Sequence, residues 1–355
     1  MRPNRREFLG GALALAAPAV LRGEEPKSKS KPVALGIVEY SLGRRFRGAR
    51  PPGPGMASPD PVAFLDACHS LGAGGMQLNL GVRDADAAGK LRAKAEEYGM
   101  FVEGIASLPR EDRDVDRFRD ALRTAKVCGA RVVRTGALSG RRYETFDSLA
   151  AFREFADRAH KSIERAIPVA EKLGIRLAIE NHKDWRVDDF VALLKKFESE
   201  YFGVTLDFGN NLALLDDPME LVSALLPRTF ATHVKDMGVE EYRDGFLLSE
   251  VPLGAGILDL PAIVKSIRSA HPDVHFSLEM ITRDPLKIPC LTPKYFATFP
   301  DLPARDLART LAMVRARASS RPLPRVAGLS PGDALAREEQ NVRESLAYAR
   351  DRLGL

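Results

Sequence analysis

The chain has 355 residues, of which 45% are hydrophobic and 28% are charged, with a formal net charge of +5. These values are typical of a globular protein with a buried core, and the length suits one large α/β domain or two smaller ones. The basic residues are scattered among nearly as many acidic ones, and no basic run is interleaved with aromatic residues. The composition therefore disfavours a nucleic-acid-binding protein.

Residues 1–22 differ in character from the rest of the chain. The pair Arg5-Arg6 precedes a short apolar stretch, and an A-x-A cleavage site follows at 17–19. This pattern resembles a twin-arginine signal, which implies the twin-arginine translocase as a partner and a periplasmic or otherwise exported protein. The alternative is an ordinary amphipathic start to a helix. The apolar stretch is too short for a stable membrane span, and residues 23–32 are predicted to be a linker.

The three cysteines, Cys68, Cys128 and Cys290, are far apart in the sequence. They form no CxxC pair and no Cys/His spacing of the kind that binds zinc. Cys68 and Cys128 fall on apolar faces of predicted helices, so we expect buried thiols rather than a disulfide.

From residue 33 onwards, short apolar or β-branched runs alternate with amphipathic stretches. Four of the helical patterns end in glycine, as expected where glycine provides a left-handed cap. The runs predicted to be strands are 33–40, 75–80, 101–107, 131–136, 176–181, 203–208, 230–235 and 274–280.

Eight strand–helix units within residues 33–317 predict a (β/α)8 TIM barrel, with a doubly wound sheet as the alternative. A doubly wound sheet would more often carry a glycine-rich phosphate turn after its first strand, and that turn is missing here. Residues 318–355 are predicted to be a Pro-rich connector and an amphipathic helix. The apolar face of that helix is expected to pack on the barrel or to form a homodimer contact; it comprises Leu335, Val342, Leu346, Ala349 and Leu353.

The last four predicted strands all end in groups that bind metals. Their terminal residues are Glu180, Asp207, His233 and Glu279. The C-terminal ends of barrel strands meet at one mouth, so these side chains can converge. Three carboxylates and one imidazole favour Mn²⁺, Mg²⁺ or Co²⁺, although Zn²⁺ can also occupy such a site. The alternative is that each acid forms a salt bridge with a neighbouring Lys or Arg.

The motifs IENH (179–182), LDFGN (206–210), HVKD (233–236) and LEM (278–280) resemble those of the sugar phosphate isomerase/epimerase family, the xylose isomerase-like barrels. The resemblance covers residues 33–317. It implies that the four strand-end residues bind one divalent metal, usually manganese. In the ketose epimerases of this family, the residues matching Glu180 and Glu279 also serve as the acid/base pair.

Two positions depart from the ketose epimerase pattern. Those enzymes commonly have a His three residues after the Asp ligand and an Arg six residues after the His ligand. This chain has Asn210 and Val239 at those places. The sugar therefore cannot be named by analogy.

Five residues near the predicted barrel mouth are candidate substrate ligands. Trp185 is the only tryptophan of the chain and is predicted to stack on a sugar or to anchor its loop. The strand period points His182 and Lys235 the same way as the metal ligands that precede them. The full set of candidates is Arg134, His182, Trp185, Asn210 and Lys235.

The leading functional hypothesis is a metal-dependent isomerase or epimerase of a keto-sugar or related polyol, which abstracts a proton next to a carbonyl. The first alternative is a dehydratase or lyase acting on inososes or 3-keto-glycosides through the same abstraction. A binding protein for sugars without catalysis is a further alternative. A three-zinc phosphoesterase on the same barrel is disfavoured, because the chain has only six histidines.

Overall fold

Eight parallel strands form a closed barrel in a computed structural model that describes residues 35–47, 58–318 and 322–355. The predicted signal (1–22) and linker (23–32) lie outside these described residues. The barrel strands are Gly36–Val38 (β1), Gly75–Leu78 (β2), Phe101–Ile105 (β3), Val132–Thr135 (β4), Arg176–Glu180 (β5), Phe202–Asp207 (β6), Thr229–Val234 (β7) and Phe276–Leu278 (β10).

Each barrel strand lies within, or within one residue of, a run predicted from the sequence, and their spatial order is β1-β10-β7-β6-β5-β4-β3-β2. The prediction of a TIM barrel is therefore confirmed. β1 and β10 close the barrel through the pairs Gly36–Ser277 and Ile37–Leu278. The Ser41 hydroxyl strengthens this short seam, because it donates to the carbonyl of Leu278 and accepts from the amide of Met280.

Helices surround the barrel, and the four glycines predicted to end helical patterns all have positive φ angles, between 61° and 92°. The helices are Gly43–Arg47 (α1), Pro61–Ser70 (α2), Ala85–Tyr98 (α3), Val115–Val127 (α4), Arg142–Thr145 (α5), Leu149–Leu173 (α6), Val187–Lys196 (α7), Pro218–Leu225 (α8), Leu260–Ala270 (α9), Pro293–Phe296 (α10), Ala304–Arg317 (α11) and Pro331–Tyr348 (α12). Short 3₁₀ turns occupy Glu39–Leu42, Asp112–Asp114, Asn210–Leu214 and Leu226–Arg228, and a π turn occupies Ala349–Leu353.

A three-stranded antiparallel sheet, which the sequence analysis did not predict, follows the seventh barrel strand. It comprises Asp236–Tyr242 (β8), Gly245–Val251 (β9) and Leu286–Ile288 (β11). Its buried side chains belong to a second hydrophobic cluster, separate from the main core. β11 lies in the long segment after Glu279, so part of that segment is held in a sheet.

The C-terminal helix α12 packs on the barrel, as predicted for its apolar face. Four residues of this apolar face are buried in the main core: Val342, Leu346, Ala349 and Leu353. Leu335 is an exception, because its side chain is 39% exposed. Glu338 of α12 accepts hydrogen bonds from the backbone amides of Arg44 and Arg45 at 2.7 and 3.0 Å, and so holds the segment after β1.

All three cysteines are buried and free, as expected from their positions in the sequence. Among the described residues, no helix combines the length and the apolar character needed to cross a bilayer.

The start of β2 offers a test of barrel packing. A Cβ at Gly75 would lie 2.3 Å from the ring of Phe101, which stacks on His275 at 4.0 Å. We expect Gly75→Ala to lower the free energy of unfolding by about 1–3 kcal/mol, because the ring must move. Gly89→Ala is the control: no atom lies within 4 Å of its added Cβ, and alanine favours the helix by about 0.5–1 kcal/mol. Urea denaturation measures both, and equal effects would contradict the packing argument.

Candidate metal centre

Four buried residues converge at the C-terminal mouth of the barrel. Glu180 ends β5, Asp207 ends β6, His233 lies in β7 and Glu279 follows β10. One ligand atom from each lies within 4.8 Å of the ligand atoms of the other three. The register explains this convergence, because Asp207 pairs directly with His233, and the Glu279 amide donates to the carbonyl of Val234.

Each carboxylate has one oxygen directed at the same nitrogen. His233 Nδ1 lies 3.4 Å from Glu180 Oε1, 3.7 Å from Asp207 Oδ2 and 3.6 Å from Glu279 Oε1. The other oxygens are anchored elsewhere: Glu180 Oε2 by Arg134 and Glu279 Oε2 by Lys235. Asp207 Oδ1 accepts from the amides of the two residues that follow Phe208, in the turn of the LDFGN motif.

The electrostatics of this cluster suit a cation. Burial alone would raise the pKa of Glu180, but the Arg134 guanidinium and His233 outweigh burial and hold that pKa well below its usual range. Burial would likewise raise the pKa of Asp207, but Lys235 and His233 together outweigh burial and lower the pKa to about 2. His233 Nδ1 is buried and has no hydrogen-bond partner among the described residues. The donor set therefore fits a divalent metal ion.

A buried chain of hydrogen bonds orients the His233 ring through its Nε2 atom. His233 Nε2 lies 2.7 Å from Gln77 Oε1, and Gln77 Nε2 donates to Glu103 Oε2 at 2.9 Å. The other oxygen of Glu103 lies 3.1 Å from His275 Nδ1. Because Gln77 uses its amide group as a donor to Glu103, its oxygen accepts from His233 Nε2–H, and Nδ1 is the nitrogen left for a metal.

The metal centre lies at the floor of a cavity of about 910 Å³. Four of the five candidate substrate ligands line this cavity: Arg134, His182, Asn210 and Lys235. Arg134 and Lys235 each pair with a metal-ligand carboxylate, and Asn210 Nδ2 donates to Glu180 Oε1 at 3.0 Å. Burial lowers the pKa of His182 to about 3, with a further contribution from Lys183, so the imidazole is neutral.

Trp185, the fifth candidate, does not line the cavity, and the prediction that it contacts substrate is not supported. Its side chain is 3% exposed and packs among Phe155, His160 and Phe190, with ring centroids 6.0–6.4 Å away. The carboxylate of Asp184 accepts a hydrogen bond from the Trp185 backbone amide at 2.9 Å. Trp185 therefore anchors its loop, which was the alternative interpretation.

Glu250, Arg283 and Lys183 are further charged residues that line the same cavity. Glu250 lies in β9 and accepts from Arg283 through both carboxylate oxygens, at 3.1 and 2.5 Å. Lys183 is buried, with its Nζ donating to Asn210 Oδ1. The sequence analysis did not identify Lys183 or Glu250. The signal that was available is the Asp244-Gly245 pair between alternating apolar residues, which is typical of a β-hairpin.

Comparison with known proteins identifies the family. The profile of the xylose isomerase-like TIM barrels matches residues 65–312. The chain belongs to this family. The TIM barrel of this family is the fold described above. The match agrees with the resemblance seen in the sequence motifs.

A curated relative of the chain is the 3-oxo-isoapionate decarboxylase of Pectobacterium atrosepticum, 27% identical over 70% of this chain and 85% of the relative. A D-psicose 3-epimerase from Clostridium cellulolyticum H10, solved with D-tagatose, has a TM-score of 0.58 and 12% identity, over 90% of this chain and 99% of its own. A Mycobacterium smegmatis barrel solved with magnesium has a TM-score of 0.52 and 17% identity, over 78% and 97%. The two structures support the fold.

The hydrogen bond from His233 to Gln77 generates a prediction about metal affinity. We expect Gln77→Met to weaken Mn²⁺ binding by about 10- to 100-fold, because His233 loses the acceptor that orients its ring. Isothermal titration calorimetry measures this effect. Gln340→Met makes the same substitution on the exposed surface of α12 and should leave the affinity unchanged. An unchanged affinity in Gln77→Met would show that His233 does not need this partner.

The buried Glu250–Arg283 pair predicts a dependence of stability on pH. Burial would raise the pKa of Glu250, but Arg283, Lys235 and Lys183 together outweigh burial and lower the pKa to about 2 from 4.5. Because the folded pKa is the lower one, the stabilisation is complete above about pH 4.5 and is lost as the pH falls towards 2. Across this window we expect wild type to lose about 3 kcal/mol relative to Glu250→Gln.

Urea denaturation at stepped pH measures that difference. The matched control is Glu344→Gln at an exposed position of α12, which should keep the wild-type slope. Parallel slopes for wild type and Glu250→Gln would contradict a strongly depressed pKa at Glu250.

Proposed function

We propose that this protein is a divalent-metal-dependent isomerase or epimerase of a keto-sugar or related polyol. One observation carries the proposal: Glu180 and Glu279 enter the metal centre from separate strands, with His233 between them. Their Oε1 atoms lie 3.4 and 3.6 Å from the same imidazole nitrogen. Two carboxylates at one centre suit a reaction that removes a proton next to a carbonyl and returns it elsewhere.

Mn²⁺ is the ion that we propose for the centre, with Glu180, Asp207, His233 and Glu279 as its ligands. Three carboxylates and an imidazole form an oxygen-rich set that Mg²⁺ and Co²⁺ also suit. When bound, the ion supplies positive charge that polarises a neighbouring carbonyl.

The surrounding side chains set the roles of the two glutamates. Glu279 lines the cavity, and Lys235 fixes its Oε2, so Glu279 is placed to take a proton from the carbon beside the substrate carbonyl. Glu180 is held by Arg134 and Asn210 and does not line the cavity directly. We assign it the return of a proton, either to the opposite face of that carbon or to the former carbonyl carbon. Neutral His182 is suited to hydrogen-bond a substrate hydroxyl.

A lyase or decarboxylase is the second candidate function. The observation that favours it is the similarity to 3-oxo-isoapionate decarboxylase over 70% of this chain. A decarboxylase breaks a C–C bond next to the carbonyl, and the electron pair remains on the carbon that then takes up a proton. A glycoside-cleaving lyase instead removes the proton next to the carbonyl and breaks a C–O bond, so that the leaving group departs with its oxygen and takes up a proton there. The same glutamates would serve as the proton donor, so the product distinguishes the two candidates.

Hydrogen exchange with solvent tests the proposed proton transfer. The Mn²⁺-loaded protein is incubated in D₂O with ketoses, inososes and 3-keto-glycosides, and deuterium uptake is followed by NMR after removal of the metal. We expect exchange next to a carbonyl, and a loss of about 100-fold or more in Glu279→Gln, because the base is removed.

Two controls make the exchange experiment decisive. Glu344→Gln on α12 should exchange at the wild-type rate, and Mn²⁺ binding of Glu279→Gln is measured so that the ion can be supplied at saturation. Exchange with an epimerised or isomerised product supports the leading proposal, and release of CO₂ or a cleaved glycoside supports the lyase. Tight metal binding without exchange would indicate a sugar-binding barrel without catalysis.

A further inference from the structure

The buried cations around the cavity differ in how their charge is compensated. Arg134 pairs with Glu180, Arg283 with Glu250, and Lys235 with both Asp207 and Glu279. Lys183 also lines the cavity and is only 3% exposed. Within the described part of the chain, no carboxylate lies within 4 Å of its ammonium group.

The only hydrogen bond described for the Lys183 ammonium is to the side-chain oxygen of Asn210. The amide nitrogen of the same Asn210 side chain donates to Glu180 Oε1 at 3.0 Å. A single amide group therefore separates Lys183 from the metal centre. A group bound by Lys183 would belong to the same small molecule that reaches the metal ligands.

An unpaired ammonium is costly at such a depth, because a buried charge needs a partner of opposite sign. Burial, together with repulsion from Lys235 and Arg283, lowers the pKa of Lys183 to about 8. Arg283 pairs with Glu250, and Lys235 pairs with Asp207 and Glu279, which leaves Lys183 without a carboxylate partner of its own among the residues that the structure describes. An anionic ligand would provide that partner.

Resting on the proposed function, we propose that Lys183 binds a carboxylate of the substrate, so that the substrate is a keto-sugar acid rather than a neutral sugar. One ammonium with spare donors suits a monoanionic carboxylate. A phosphate group would call for more donors, such as a nest of backbone amides, than Lys183 supplies.

The same contact bears on the fate of the carboxylate. Loss of CO₂ moves negative charge off the carboxylate and onto carbon, so an ammonium bound to it stabilises the starting state more than the transition state. Lys183 therefore anchors the carboxylate instead of promoting its departure. This favours isomerisation or epimerisation of a sugar acid over its decarboxylation.

Three six-carbon ketoses test the inference by equilibrium binding. The probes are D-fructose, D-fructuronate and D-fructose 6-phosphate, which share one configuration, and the last two carry their anionic group at the same position of the carbon chain relative to the carbonyl. Calorimetry of the Mg²⁺-loaded protein should show D-fructuronate binding about 10- to 100-fold more tightly than D-fructose. Lys183→Met should lose this preference and keep its affinity for D-fructose, and Lys183→Arg should retain part of it.

Lys161→Met is the matched control, because Lys161 lines the outer part of the same cavity with an exposed side chain. It should keep the preference for the acid. Circular dichroism and Mg²⁺ affinity verify that each variant is folded. The wild-type preference stands as a test by itself if Lys183→Met does not fold.

The outcomes separate this inference from the proposed function. Equal binding of D-fructose and D-fructuronate, or a preference that survives in Lys183→Met, would overturn the role of Lys183 alone. A preference for D-fructose 6-phosphate would replace the carboxylate by a phosphate and overturn the assignment. A protein that binds Mg²⁺ and none of the three ketoses contradicts the sugar-directed function itself.

Discussion

The mutual repulsion of three buried carboxylates is the constraint on which the rest of the mouth depends. Glu180, Asp207 and Glu279 each direct one oxygen at His233 Nδ1, which no fold can sustain without compensating positive charge. Arg134 and Lys235 provide part of that charge from the sides. Arg134 binds one oxygen of Glu180, and Lys235 binds one oxygen of Glu279, which fixes the direction of the other oxygen of each carboxylate. The same ion pairs therefore stabilise the fold and shape the candidate metal centre.

The convergence of Glu180, Asp207, His233 and Glu279 could be predicted because it depends on one general property of barrels. The C-terminal ends of parallel strands share one rim, so residues that end successive apolar runs must meet there. Trp185 had no such constraint. It lies in a loop, where no strand period sets the direction of its ring, and the ring packs among Phe155, His160 and Phe190. Sequence patterns predict the directions of strand residues far better than those of loop residues.

Long-range pairing explains what the sequence did not reveal. Glu250 lies in β9, the second strand of the antiparallel sheet that follows the seventh barrel strand, and its partner Arg283 comes more than thirty residues later. Lys183 looks like an ordinary loop lysine until the distant residues that bury it are known. The residues of the candidate metal centre can be found from local sequence patterns. The charged residues of the cavity wall come together only through tertiary packing.

The hydrogen bonds that Glu338 accepts from the amides of Arg44 and Arg45 have a consequence for biosynthesis. These partners are separated by 294 and 293 positions in the chain. During translation, the segment after β1 emerges early, but it can form these hydrogen bonds with Glu338 only when α12 has left the ribosome. The rim of the barrel is therefore completed only after all eight barrel strands have been made, and a product truncated before α12 would retain Glu180, Asp207, His233 and Glu279 without the finished rim.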